Sequence, residues 1–198
     1  MKQGSGNAPS SNVQRTYARL VFSLLHWSIA VLVVFQGVLG AANLRVPWLR
    51  EHLDTAIVVH EQVGLLILVL TLSLLLTRIV LGRRSGEGTP QIHRRWARLV
   101  HGSFYILIIL ECSVGIWMMG LLGKGLTIGF WHWRLPIAPD PALVFHSILQ
   151  IHAAIALAMA VLIVIHSAAA LYHHYVLRDD TLIRMLPRMR ILRSEETT

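Results

Sequence analysis

Between Pro141 and Arg178 the chain contains no Lys, Arg, Asp or Glu. A helix over that stretch, rising 1.5 Å per residue, outruns the ~30 Å hydrocarbon core of a bilayer, so one end of it must protrude. Three further stretches share this character: residues 20–42 carry no formal charge, residues 57–77 carry only Glu61, and residues 99–122 carry only Glu111. Each is long enough to cross a membrane as a helix. The whole chain of 198 residues is 55% hydrophobic and 14% charged, against about 25% charged in an ordinary soluble domain. That balance argues against a soluble enzyme, a nucleic-acid-binding domain and a disordered chain. A single cysteine, Cys112, excludes an internal disulfide, a four-cysteine zinc site, an all-cysteine iron–sulfur cluster and covalent C-x-x-C-H haem attachment.

The formal charge of +8 is topological. Lys2, Arg15 and Arg19 precede the first span; Arg83, Arg84, Arg94, Arg95 and Arg98 lie between the second and third; Arg178, Arg184, Arg188, Arg190 and Arg193 follow the fourth. All fall on one side, with Arg78 at its border, whereas the other side has Arg45, Arg50, Lys124 and Arg134. Basic loops stay inside, so both termini are expected on the cytoplasmic side of the membrane, with anionic lipid as the partner of the basic excess and no role for nucleic acid. Residues 1–19 read as a disordered polar arm, 82–89 as a flexible loop, 20–177 as a four-helix transmembrane bundle and 178–198 as a basic cytoplasmic tail.

Ionisable side chains within spans are rare and usually functional, and this chain places four histidines at two depths. His26 lies about 9 Å from the inner boundary of the first span and His60 about 5 Å from the outer boundary of the second. His152 and His166 on the fourth span are 14 residues apart, about 21 Å along the axis and nearly on one face. His166 then matches His26 in depth, and His152 matches His60. A lone membrane histidine often only joins helices by a hydrogen bond. Two opposed pairs of neutral imidazoles suit another ligand better: zinc needs four ligands, or three and an open position, whereas a b-type haem needs two, on opposite faces of a flat apolar ring. Gly37, Gly40, Gly64, Ala153, Ala154, Ala168 and Ala169 could make room for such rings, or could simply serve close helix packing. His173 continues the heptad series 152, 159, 166, 173 below the inner level. His101 opens the third span at that level and is less well placed than His26 as a ligand.

These residues resemble the bacterial di-haem cytochrome b561 family. The resemblance runs from about Tyr17 to Arg188 and rests on LLHWSIA around His26, VVHEQVG around His60, ARLVHGSFYILI around His101 and above all VIHSAAALYHHYVLRDDTLIRMLPR from Val164 onward. It implies an all-α integral membrane four-helix bundle with two non-covalent b haems, whose axial iron ligands carry over to His26, His60, His152 and His166. It also implies a quinone-linked electron carrier, and the LYHHY arrangement looks closest to a branch of superoxide:ubiquinone oxidoreductases. The acid in HEQVG depart from that pattern, as do Arg98 and Val100, where a histidine and a glycine are common.

On this reading superoxide enters at the outer face, where Arg45, Arg50, Lys124 or Arg134 attract a small anion, unless these are loop charges or haem-propionate partners. Trp48, Trp131 and Trp133 form an interfacial aromatic belt. Ubiquinone is reduced at the inner face, where His173, His101, Arg78 and Arg98 converge in depth. Histidine suits proton delivery there, while the alternative for Arg78 is to snorkel or pair with a propionate. The alternative is a haem-b membrane anchor relaying electrons between a partner redox protein and the quinone pool.

Overall fold

The computed structural model describes residues 8–43, 46–80 and 91–187. Four long helices dominate it: α1 (Ala8–Asn43), α3 (Leu53–Val80), α4 (Gln91–Leu121) and α6 (Leu149–Tyr175). Each contains a segment long and apolar enough to span a membrane, namely Tyr17–Ala42, Leu53–Val80, Arg95–Leu121 and Pro141–Tyr175. The last of these runs on past the requirement of a bilayer, as its uncharged length dictates. The chain is thus an all-α membrane four-helix bundle.

One expectation is overturned at the N-terminus. Residues 8–19 are not an irregular arm but the first turns of α1. Pro9 falls in the first turn, where its missing N–H costs nothing, and once a long apolar helix is nucleated each added residue gains a hydrogen bond for little entropy. Residues 1–7, the 82–89 loop and the tail beyond residue 187 lie outside the described residues.

Helix α1 packs along α3, α3 along α4 and α4 along α6; the extended helix contact of α6 is with α4 alone among the spans. The central core joins Ile29 and Val33 of α1, Ile67 and Leu74 of α3, Ile108 of α4 and Met159 of α6. Most other apolar side chains of the spans face outward, where lipid covers them. A second cluster, Leu121, Val144 and Ile148, with Ile137 against it, closes the outer end of α4.

The outer connections are more structured than a plain loop. Short helix α2 (Pro47–Glu51) leads into α3. After α4 the chain forms an antiparallel ribbon of β1 (Leu126–Ile128) and β2 (Trp131–Trp133), a departure from the purely helical expectation. Two glycines make it possible. Gly129, at φ +60°, opens the two-residue turn between Ile128 and Trp131. Gly125, at φ +69°, lies where a Cβ would stand 2.5 Å from the carbonyl oxygen of Trp133. The ribbon docks on α3 through the Thr127 N–H, which donates to Glu61 Oε1 at 2.5 Å.

The fourth span begins with α5 (Pro141–Leu143), capped by Asp140, whose Oδ1 accepts from the Leu143 N–H at 3.0 Å. A π-turn, Val144–Ile148, joins it to α6 and turns Val144 and Ile148 into the second cluster; single π-turns of this kind often lie near functional sites. Beyond α6, Arg178 adopts φ +53° and reverses the chain into α7 (Thr181–Met185). The Met185 carbonyl then accepts two hydrogen bonds from α1, from Ser23 Oγ at 2.5 Å and Trp27 Nε1 at 2.8 Å. The start of the basic tail is therefore fastened to α1.

Candidate functional site

Helix α6 carries a stripe of His152, Met159, His166 and His173. Met159 is buried in the core, so the heptad spacing directs the histidines beside it inward. At the outer level His152 faces His60 of α3, with ring centroids 6.0 Å apart and planes at 69°. At the inner level His166 faces His26 of α1, at 6.4 Å and 66°. Two imidazoles that bind one metal ion from opposite sides, each through a bond of about 2.0–2.1 Å, place their centroids roughly 6.3 Å apart. Both pairs meet that requirement. Among the described residues no three His, Cys, Asp or Glu side chains converge on a common point. The donor set is therefore two neutral nitrogens at each level, in apolar surroundings, which fits a planar haem ligated from both faces.

The inner level holds a third imidazole. His101 lies 5.3 Å from His166, with planes at 80°. That is too short for an interposed metal and typical of edge-to-face ring packing. Its Nδ1 donates to the Ala97 carbonyl at 2.5 Å, which fixes the tautomer. Phe104 stacks edge-on to His166 at 5.4 Å. Arg78 reaches from the end of α3 across to both neighbouring helices, its guanidinium 5.0 Å from the Phe22 ring and 5.6 Å from the Tyr105 ring. These contacts to aromatic faces are its observed surroundings.

The outer level is lined differently. Gln36 of α1 donates to the His60 carbonyl at 2.7 Å. A Cβ added at Gly40 would lie 3.8 Å from His60 Cε1, and one at Gly115 would lie 3.6 Å from His152 Cε1. A glycine thus stands beside each imidazole. Glu111, half-way along α4, places Oε1 3.4 Å from His152 Nδ1. Four buried atoms here lack a hydrogen-bond partner: His60 Nδ1, His152 Nδ1, Gln36 Oε1 and Glu111 Oε2. An acid at the centre of a span costs about 2.5–3.5 kcal/mol on insertion scales, so Glu111 needs a reason to be there.

The structure does not bring all the named inner residues together. His101 and Arg78 stand with His26 and His166, but His173 lies about 10 Å further along α6 and pairs with Asp179, Nδ1 to Oδ2 at 2.6 Å. Arg98 is exposed at the start of the third span. At the outer face Lys124 Nζ pairs with Asp54 Oδ1 at 3.0 Å and Arg134 is exposed; Arg45 and the Arg50 side chain lie outside the described residues. Trp48, Trp131 and Trp133 are all exposed, as an interfacial belt requires. Ala153, Ala154, Ala168 and Ala169 are exposed on α6, and a Cβ added at Gly37 would meet nothing within 4 Å. Sequence reasoning passed over Gly115 and the partner of Glu111. The signal was present: a lone acid within a span, with a glycine one turn further at the depth of His152.

Comparison with known proteins agrees with this arrangement. A family model described as Prokaryotic cytochrome b561 matches residues 17–188. Cytochrome b562 of Cereibacter sphaeroides is 33% identical over 174 residues, covering 86% of this chain and 94% of that protein. Cytochrome b561 homolog 1 of Escherichia coli is 27% identical, covering 83% and 93%. A probable superoxide oxidase of Yersinia pestis is 27% identical, covering 84% and 93%. With four apolar helices, paired histidines within them and matches along nearly its whole length, the chain belongs to the prokaryotic cytochrome b561 family of multi-pass membrane electron-transfer proteins, whose cofactor is b-type haem.

Proposed function

We propose that this protein carries single electrons across the bacterial inner membrane, from superoxide outside to ubiquinone inside, through two non-covalent b haems. His60 and His152 hold the outer haem, and His26 and His166 the inner one. The observation that carries the reading is the pair of imidazole separations, 6.0 and 6.4 Å, set at two levels of one helix. A haem ligated by two imidazoles takes up and releases one electron without leaving its site. The protein supplies ligation, burial and a fixed order of the two levels.

The asymmetry of basic residues supports a cytoplasmic side for both termini and for the inner level. Superoxide is the donor favoured by the activity named for the Yersinia pestis relative and by cations at the outer connections, which raise the encounter rate of a small anion. Each superoxide gives up one electron and leaves as dioxygen. Two electrons and two protons convert ubiquinone to ubiquinol. At that end His101 and Arg78 flank the inner pair, and His173 stands further out with Asp179 against its Nδ1. The Asp179 contact orients the His173 ring, and an imidazole in that position can serve as the proton donor as charge develops on a quinone oxygen.

The test is a stopped-flow measurement on the purified membrane protein. Superoxide should reduce both haems, and ubiquinone should reoxidise them. Reduction only in the presence of a co-purifying redox protein would replace this reading with that of an anchor relaying electrons for a partner.

A further inference from the structure

We propose that Glu111 is a positioning residue for His152: its carboxyl accepts from the Nδ1 of that imidazole, holds the ring so that Nε2 faces His60, and thereby sets the outer haem apart from the inner one in reduction potential. This inference rests on the reading of His60 and His152 as haem ligands.

Three observations carry it. Glu111 Oε1 lies 3.4 Å from His152 Nδ1, and both residues are largely buried. His152 Nδ1 and Glu111 Oε2 are both buried with no hydrogen-bond partner, so the ring and the carboxyl each have a polar atom to satisfy and stand close enough to do so with a small adjustment. Gly115, one helical turn from Glu111 on α4, leaves space against Cε1 of the same ring. Helix α4 thus presents an acceptor to one atom of the imidazole and a gap to the next.

The chemistry follows from the tautomer. A neutral imidazole that binds metal through Nε2 carries its proton on Nδ1, and a buried N–H needs an acceptor. Of the side chains on α4, Glu111 alone is at ion-pair distance from that atom. An acceptor behind a ligating imidazole increases its donor strength and fixes its orientation. Stronger donation favours the oxidised iron, so a haem held by His60 and His152 would have the lower potential of the two. Among the described residues no carboxylate lies within ion-pair distance of His26 or His166.

The experiment is a spectroelectrochemical titration of the purified holoprotein, with the EPR signal of each ferric haem recorded alongside. The outer haem is identified as the one lost in His60→Ala. Glu111→Leu should shift the reduction equilibrium of that haem about tenfold toward the reduced form, 59 mV for one electron, and change its EPR signal. The inner haem should keep both properties. Glu111→Gln, which retains an acceptor at the same reach, should recover most of the shift. If the Glu111→Leu protein does not accumulate, Glu111→Asp, which withdraws the acceptor by one methylene, must move the outer haem in the same direction. An outer potential and EPR signal unchanged in both the Leu and Asp variants would overturn the role of Glu111. That outcome is distinct from failure of the ligand reading, which would appear as two haems retained in His152→Ala.

Discussion

The two histidine pairs share a geometry and differ in almost everything around it. The outer pair is lined by glycines, an amide and an acid: Gly40, Gly115, Gln36 and Glu111. The inner pair is lined by rings and a cation: His101, Phe104, Tyr105, Phe22 and Arg78. The outer level is closed by a ribbon pinned to α3 through Glu61, the inner level by α7 pinned to α1 through Ser23 and Trp27. If the pairs ligate haem as proposed, the histidines would decide which cofactor is held and the lining what each level does with it. Buried acceptors near one pair and a guanidinium near the other would then pull the two levels in opposite electrostatic directions.

The sharpest break in this comparison is ligand removal. His60→Ala and His152→Ala should each remove the outer haem, and His26→Ala and His166→Ala the inner one, read as a fall from two haems per chain to one by pigment extraction into acid–acetone. His101→Ala probes the other side of the argument: its ring is too close to His166 to share a metal with it, so both haems should remain. Loss of a haem there and not in His26→Ala would exchange the two assignments. Next in size is His173→Ala. Both haems and their rapid reduction by superoxide should survive, while reoxidation by ubiquinone slows, on the order of a hundredfold for loss of a general acid. A smaller effect is expected at the closures. Ser23→Ala removes one of two hydrogen bonds to Met185 and should cost about 1 kcal/mol, visible as faster proteolysis of the tail with the haems unchanged. Smallest is Lys124→Ala: its exposed pair with Asp54 contributes less than ~1 kcal/mol, so thermal stability should hardly move, while superoxide reduction loses part of its salt dependence.

Much of the bundle was legible because periodicity and charge act locally. The absence of charge defined the spans, and a 14-residue interval on one helix fixed the relation of His152 to His166. What escaped depends on contacts between segments far apart in the chain. Glu61 stood out as an acid beside a candidate ligand, but its partner is a backbone amide 66 residues on. The ribbon depends on the fit of Gly125 against Trp133, which no local pattern announces. The return of α7 depends on Arg178 in a left-handed conformation that non-glycine residues seldom adopt. His173 lies on its stripe as the heptad spacing requires, yet its hydrogen-bond partner, Asp179, is brought to it by that reversal. The N-terminal segment differs for another reason: its polar sequence carries no helical periodicity of its own, but a long apolar helix readily extends its first turns beyond the apolar stretch.

Helix α6 bears one ligand of each pair yet lies along α4 and not along α1 or α3. It is attached to the bundle like a door to its hinge post. It meets the far side at Met159 in the central core and at the two histidine levels on either side of it. On the proposed ligation the bound groups would act as its latch, and part of their binding free energy would become free energy of tertiary structure. The supply of haem would then govern not only how active this protein is but how firmly its fourth span is held.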